Sequence, residues 1–163
     1  MKLEISLALG RSEVFFGEDT ALTILYRNTS QEALLLPDPE RKGPWSAVRV
    51  RNVDRGTESS FSPTDIARKG GDSFVPPMPA EPRVLTPGET FRDETTLLRR
   101  VELAAPGRYE LTAGYGYEDG RAESESVPLT VLPAKLRTVE IAGAHSGFSP
   151  YRYAVWSAAQ NGG

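Results

Sequence analysis

Apolar and polar residues alternate along much of this 163-residue chain, a pattern typical of β-strands that bury one face. Four apolar residues at two-residue spacing fall within residues 3–9, and residues 21–27 repeat the pattern. A third run, over residues 48–53, interleaves valines with arginines. These runs predict three half-buried strands. The turn sequence NTSQE, followed by apolar residues 33–36, predicts an antiparallel neighbour for the second strand.

The longest alternating run lies within residues 107–117. The run SESVPLTVLP follows it, and Pro128 within that run suits a sheet edge or a bulge, because proline cannot donate a ladder hydrogen bond. Short strands, frequent turn signals and almost no helical periodicity predict an all-β fold, an immunoglobulin-like antiparallel β-sandwich. The residues expected on one face of the long strand are Tyr109, Leu111, Ala113, Tyr115 and Tyr117.

Residues 54–87 differ in composition, with six prolines and three glycines. Because proline cannot join a sheet ladder as a donor, we predict a long insert loop, in which SPTDIARKGG allows one or two turns of helix. Residues 1–133 are predicted to form the sandwich domain around this insert. Residues 134–163 contain two further strand-like runs, which predict a C-terminal hairpin or extension. This extension either packs on the sandwich or begins a further domain.

The sequence PGRY at residues 106–109 predicts a sharp corner at the start of the longest strand. In immunoglobulin-like sandwiches, a tyrosine near the start of a late strand hydrogen-bonds back to the main chain and fixes the connection between the sheets. Gly107 would adopt a turn conformation that other residues avoid, and Tyr109 would bury its ring while its hydroxyl binds the main chain. We predict this role because Tyr109 shares its face with Leu111.

The succession of LYRNTSQEALLL, LTPGETF and PGRYELTAGY resembles bacterial immunoglobulin-like domains, and more narrowly the intracellular proteinase inhibitor type. In that type an asparagine-bearing turn, a Pro-Gly-Glu step and a Pro-Gly-x-Tyr corner recur. The likeness extends over residues 3–132. It implies a cysteine-free β-sandwich that works by binding another protein.

Composition narrows the classes of function. The chain has no cysteine, which excludes disulfides, thiolate metal sites and thiol catalysis. Its formal net charge of -3 arises from 19 basic and 22 acidic residues mixed along the chain, so no basic stripe is available for nucleic acid. Charges interrupt the signal-like N-terminus, and no apolar run approaches the roughly 20 residues of a membrane helix. We therefore expect a soluble cytoplasmic protein that binds neither nucleic acid nor membranes.

Candidate catalytic groups are few. His145 is the only histidine, so a histidine metal cluster is excluded and any nucleophile-base pair would depend on this residue. Its neighbours Ser146 and Ser149 lack a nucleophile-elbow pattern. The acidic residues within 118–125 lack the spacing of a calcium loop and are expected to be solvated turn charge. We expect a non-enzyme without catalytic residues, cofactor or metal.

Aromatic and basic residues near loops are the candidates for contact with another protein, because Trp, Tyr and Arg dominate binding hot spots. We predict a non-catalytic protein-interaction module, proteinase-inhibitor-like or an adaptor, that binds through loops and insert. Three alternatives stay open: a carbohydrate-binding module, an enzyme that uses His145 or an acidic pair, and a structural arm of a larger assembly that self-associates. The predicted partner-binding residues are Trp45, Arg49, Arg51, Phe61, Phe74, Met78, Tyr151, Tyr153 and Trp156.

Overall fold

The computed structural model describes residues 2–36, 46–61, 82–117, 120–141 and 151–158, with Tyr117 and residues 135–141 and 151–158 described by their main chain. These residues form thirteen strands and one turn of 3-10 helix, so the prediction of an all-β fold is confirmed. No helix in these ranges is long and apolar enough to span a membrane.

Sheet A consists of β1 (Leu3–Leu9), β3 (Ala21–Asn28) and β8 (Thr90–Thr96). The three strands are antiparallel, with β3 in the centre. Because successive side chains of a strand face opposite ways, Leu22, Ile24 and Tyr26 of β3 enter the core while Thr23 and Leu25 face outward. The first two strands predicted from the alternating pattern are therefore present.

Sheet B consists of β2 (Glu13–Phe15), β5 (Ser46–Asn52), β6 (Thr57–Phe61), β9 (Gly107–Tyr117), β10 (Gly120–Glu123) and β11 (Val127–Leu132). Its order is β2-β11-β9-β5-β6, and β10 pairs with the end of β9. The pair of β2 and β11 is parallel and the others are antiparallel. Pro128 lies in β11 beyond the residues that pair with β2, where that side of the strand requires no donor.

Two small sheets complete the described fold: β4 (Leu34–Leu36) with β7 (Arg83–Leu85), and β12 (Ala134–Ile141) with β13 (Tyr151–Ala158). The predicted pairing of residues 33–36 with the preceding strand is wrong, because both edges of β3 are bonded to β1 and β8. The C-terminal strands pair antiparallel as a hairpin over their full length, the arrangement expected from the two strand-like runs.

The connection predicted over residues 54–87 is shorter than the composition suggested. β6 occupies residues near its beginning and β7 residues near its end. The sequence TESSF of β6 contains no proline, so every residue can contribute an N–H to a ladder. The helical turns predicted between Ser62 and Gly70 lie outside the described residues.

The core lies between sheets A and B. Tyr26 of sheet A meets Tyr115 of sheet B edge-on, with ring centroids 5.5 Å apart, and stacks on Phe91 at 5.9 Å. Burial raises the pKa of Tyr26 to about 12, and its hydroxyl lies 3.3 Å from Ser46 Oγ. Aromatic pairs of this kind contribute about 0.5–1.5 kcal/mol each beyond their buried area. The two sheets are thus joined by an aromatic contact at the centre of the core.

A buried ion pair lies where β8 ends. The chain makes one 3-10 turn at Leu97–Arg99, and the next residue, Arg100, donates from Nη2 to Asp93. The two side chains are only 7% and 8% exposed, and Arg100 Nη1 is buried without a hydrogen-bond partner in the described structure. Such a pair adds little net stability, but breaking it leaves an uncompensated buried charge.

The Tyr109 corner has the predicted geometry. Tyr109 is 4% exposed, and its hydroxyl donates to the main-chain carbonyl of Ala105 at 2.5 Å. Gly107 has φ +148°, and a Cβ there would lie 3.1 Å from Asp54 Oδ2. Asp54 accepts the backbone N–H and Nε–H of Arg108, both at 2.8 Å, and the backbone bond is the main reason that its pKa is lowered. These hydrogen bonds therefore link the corner to the turn between β5 and β6.

The Pro87-Gly88 turn joins β7 to β8. Glu89 donates its N–H to the carbonyl of Thr86 at 3.0 Å, and Gly88 has φ +79°, as a type II turn requires. The Glu89 carboxylate accepts the N–H and hydroxyl of Thr86, both at 2.9 Å, and the backbone bond lowers the pKa of Glu89. Gly88 also donates its N–H to the carbonyl of Asn28 at 2.9 Å, which links this turn to the end of β3.

Asn28 fixes the turn that follows β3. The residue is fully buried, and Nδ2 donates to the carbonyls of Glu32 and Leu85, both at 2.8 Å. Its Oδ1 accepts the N–H and the hydroxyl of Ser30 at 2.9 and 2.7 Å. One amide therefore ties its own turn to β7, which explains an asparagine at the turn of the NTSQE segment.

Candidate functional site

Arg49 and Arg51 lie on the outer face of sheet B, because the valines that alternate with them in β5 face the core. Arg49 Nη2 is 2.8 Å from Glu123 Oε2, and Arg51 Nη1 is 3.4 Å from Glu110 Oε2. Each of these predicted contact residues therefore has a carboxylate partner within the chain. The strand that carries them ends at Asn52, one residue earlier than predicted.

Glu123 joins two arginines on this face. Its Oε1 accepts Arg121 Nε–H at 3.0 Å, while Oε2 binds Arg49. Arg121 lies over Gly114, where an added Cβ would be 3.5 Å from Nη2. Glu123 was expected to be solvated turn charge, and in addition it forms ion pairs with arginines of β5 and β10. We call the surface that carries these ion pairs the charged face, and its members are Arg49, Arg51, Glu110, Arg121 and Glu123.

Ion pairs this exposed contribute typically about 0–1 kcal/mol each. The charged face is therefore better understood as a solvated surface whose charged groups are paired within the chain than as a binding hot spot. Among the described residues no group of three or more His, Asp or Glu side chains is placed to hold a metal ion.

Phe61 lies in β6, which pairs with β5, and on the face of sheet B opposite to the charged face. It is the last residue of β6, opposite Val48, and it packs partly buried against the core. Beside it is an open depression of about 510 Å³, with β6 on one side and the segment that follows the 3-10 helix on the other. We call this the edge surface, and it is lined by Ser59, Phe61, Leu98, Val101, Glu102, Leu103 and Ala104.

The edge surface is more apolar than polar. Leu98 and Leu103 are partly exposed there, above the buried Val101. β6 is the last strand of sheet B, so its outer edge is not paired with any strand in the described part of the chain. An apolar depression beside an unpaired strand edge can accept an extended polypeptide.

A second depression lies on the outer face of sheet A. It measures about 370 Å³ and is bordered by polar side chains and by Leu25. Arg27 and Glu4 stand 4.0 Å apart within it, both mostly exposed. Since the cores of protein interfaces are depleted in charged residues, the edge surface is the better candidate for protein contact.

Three of the predicted contact residues have described side chains, and these three do not share one surface. Phe61 lies on the edge surface, whereas both arginines lie on the charged face. Tyr151, Tyr153 and Trp156 lie in β13, the second strand of the C-terminal hairpin. The candidates that lie outside the described residues are Trp45, Phe74, Met78 and His145.

Leu98 and Leu103 are not singled out by the sequence pattern, because LLRRVELAA resembles the end of a strand. The 3-10 turn changes the direction of the chain there, so that Leu97 is fully buried while Leu98 is partly exposed. Asp19 holds this turn by accepting the N–H of Leu98 at 3.0 Å. The available signal was the leucine doublet, since a strand with one buried face accommodates only one of two successive leucines.

No protein-family model and no curated protein matches this chain. Among solved structures, it is similar to part of a β-glucosidase from Erythrobacter marinus, with 12% identity over 80% of this chain and 15% of that chain and a TM-score of 0.47. It is similar to the DNA-bound alkylpurine DNA glycosylase AlkC of Pseudomonas fluorescens, with 13% identity over 80% and 30% of the two chains and a TM-score of 0.47. For the sporulation control protein Spo0M of Bacillus subtilis the values are 10% identity, 80% and 49% coverage and a TM-score of 0.48. The chain spans less than half the length of each.

Proposed function

We propose that this chain is an immunoglobulin-like β-sandwich domain that binds another protein through the edge surface and catalyses no reaction. The immunoglobulin-like assignment is supported by two sheets that enclose one core and by the tyrosine corner at the start of β9. In such domains, recognition is carried by surfaces and loops that the rigid sheets hold in position.

The edge surface is the observation that carries this proposal. Phe61, Leu98 and Leu103 present partly exposed apolar side chains around one depression, and Ser59 and Glu102 add polar groups to its border. An apolar centre with polar groups around it is the usual composition of a protein interface. Burial of these side chains against a partner would supply the hydrophobic part of the binding free energy.

Three of the described carboxylates have structural roles in turns. General acids usually have a raised pKa, whereas the pKa of Glu18, of Asp54 and of Glu89 is lowered, in each case mainly by a backbone N–H that donates to the carboxylate. These groups hold turns in place, which is a structural use of charge. The charged face uses its carboxylates in the same way, as partners for arginines.

Comparative affinity capture tests the proposal. The intact chain, Leu103→Ser and Leu35→Ser are immobilised and exposed to lysate of the native host, and captured proteins are quantified by mass spectrometry. Leu35 is the matched control, because it is 52% exposed on β4 and does not line the edge surface. Circular dichroism and thermal unfolding establish that each variant is folded.

We expect one protein to be enriched by the intact chain and by Leu35→Ser, with roughly a fivefold or greater loss of recovery on Leu103→Ser, as for a residue near an interface centre. Two results would show that the proposal is wrong. One is equal capture by both variants, and the other is no enrichment by the intact chain above blank resin.

A further inference from the structure

The N–H and C=O groups of successive residues in β6 point alternately toward β5 and toward the outer edge of sheet B. One hydrogen bond shows which residues point each way. Val53, just after β5, donates its N–H to the carbonyl of Arg108 in β9 at 2.8 Å. In an antiparallel strand the N–H and C=O of one residue point to the same side, and the side changes with each residue. Val50 precedes Val53 by three residues, so its N–H and C=O point toward β6, where it pairs with Ser59. Ser59 thus directs its N–H and C=O toward β5.

Glu58 and Ser60 flank Ser59, so their N–H and C=O groups point to the outer edge of sheet B. No strand in the described ranges pairs with this edge. The edge offers two N–H donors and two C=O acceptors at the spacing of a β-ladder, which matches the main chain of one added antiparallel or parallel strand.

The side chains of β6 divide between two surfaces. Ser59 and Phe61 line the edge surface, so a strand added next to β6 would place every second side chain over Leu98 and Leu103. Apolar side chains at those alternate positions would fill the depression. The depression begins directly beside the strand edge, so main-chain pairing and apolar contact can be made by the same segment.

Charge specifies one further position of such a segment. Glu58 is exposed on the outer face, opposite Arg51 in β5, and Arg51 is paired with Glu110 on β9. A residue of the added strand directly across from Glu58 would lie within reach of its carboxylate, where an opposite charge is favourable and a like charge is not. The complementary residue is Lys or Arg.

We propose that the edge surface binds an extended segment of the partner protein as an additional strand on β6, with apolar residues at alternate positions and a Lys or Arg opposite Glu58. This inference rests on the proposed function and specifies how the partner is recognised. Main-chain hydrogen bonds would supply affinity, and the depression and Glu58 would supply specificity.

A pair of variants at one position tests the strand addition. Peptides about ten residues long, the upper length of ordinary strands, are selected on the intact chain from a random display library. They are then titrated against wild type, Ser60→Pro and Ser60→Ala by fluorescence anisotropy. Both variants remove the same hydroxyl, but only proline removes the outward N–H, at an edge position where a folded sheet tolerates it.

We expect selected peptides to alternate apolar residues around a Lys or Arg. Ser60→Pro should weaken their binding roughly tenfold or more, because a main-chain hydrogen bond is lost and the ring obstructs the added strand, whereas Ser60→Ala should change it less than about twofold. Glu58→Lys should favour acidic peptides over basic ones. In wild type, peptide binding should slow amide hydrogen exchange at Glu58 and Ser60 more than at Ser59.

Strand addition is overturned if no peptide is selected, if selected peptides bind Ser60→Pro as tightly as wild type, or if exchange at Glu58 and Ser60 is unchanged by binding. A wild-type dimer that Ser60→Pro dissociates in analytical ultracentrifugation would identify a second copy as the occupant and also overturn it. The proposed function is judged separately, since Leu103→Ser can abolish capture even where Ser60→Pro leaves binding intact.

Discussion

Replacing Tyr109 by phenylalanine isolates the hydrogen bond that closes the corner between the sheets. The ring is 4% exposed and would keep its packing, so no sizeable cavity forms. The variant loses one bond of 2.5 Å from the hydroxyl to the carbonyl of Ala105. Because Ala105 is only partly buried, water can reach its freed carbonyl, and the loss should be near the net value of one hydrogen bond, about 1 kcal/mol and no more than about 2.

Urea denaturation followed by tryptophan fluorescence measures this loss as a change in the free energy of unfolding. For a chain of this length a loss of 1 kcal/mol corresponds to a fall in Tm of about 2–4 °C. Ser60→Ala is the control, since it removes an exposed hydroxyl and should shift the free energy by less than about 0.5 kcal/mol. If Tyr109→Phe were as stable as this control, the corner bond would not contribute to stability and the reasoning would be refuted.

Three further predictions concern the same framework. Gly107→Ala should lower the free energy of unfolding by about 2–3 kcal/mol, and Gly56→Ala by about 1 kcal/mol. The difference is expected because Gly56 has positive φ but open space around it. Thermal unfolding of the two variants measures it. Asp93→Ala should lower the free energy of unfolding, measured by urea denaturation, by about 3–5 kcal/mol. The double variant Asp93→Leu, Arg100→Met should recover most of this loss. Asp54 has a pKa below its ordinary 3.8, so its contribution to the free energy of unfolding is complete above that value and is lost as pH falls through the folded pKa. Asp54→Asn should therefore lose less stability than wild type when the pH is lowered from about 5 to about 2.

The parts of the fold that the sequence predicts well are those whose local pattern and tertiary environment agree. β9 alternates because Tyr109, Leu111, Ala113 and Tyr115 on one of its faces are buried, and its bounds coincide with the predicted run. The Tyr109 corner was also predictable, because Gly107 and a face shared with Leu111 leave few other roles for that ring.

Other features depend on contacts between segments far apart in the chain, which local patterns do not specify. β4 has the sequence LLL, which shows no alternation, and its partner β7 lies about fifty residues further along the chain, where the Asn28 side chain also bonds the carbonyl of Leu85. β6 is polar along most of its length, so only its register with β5 identifies it as a strand.

The candidate site was predicted only in part. Phe61 was identified because an aromatic residue near a loop is a common contact residue, but its companions Leu98 and Leu103 come from a segment about forty residues away along the chain, where a 3-10 turn decides which leucine is exposed. The interpretation of Arg49 and Arg51 as contact residues did not include their carboxylate partners, which lie on β9 and β10.

The dissociation constant between the purified chain and its captured partner, measured for wild type, Leu103→Ser and Leu35→Ser by isothermal titration calorimetry, tests protein binding by the edge surface most directly. The account predicts a loss of affinity of roughly tenfold or more for Leu103→Ser and less than about twofold for Leu35→Ser. Equal affinities for all three proteins, or a greater loss for Leu35→Ser, would contradict it.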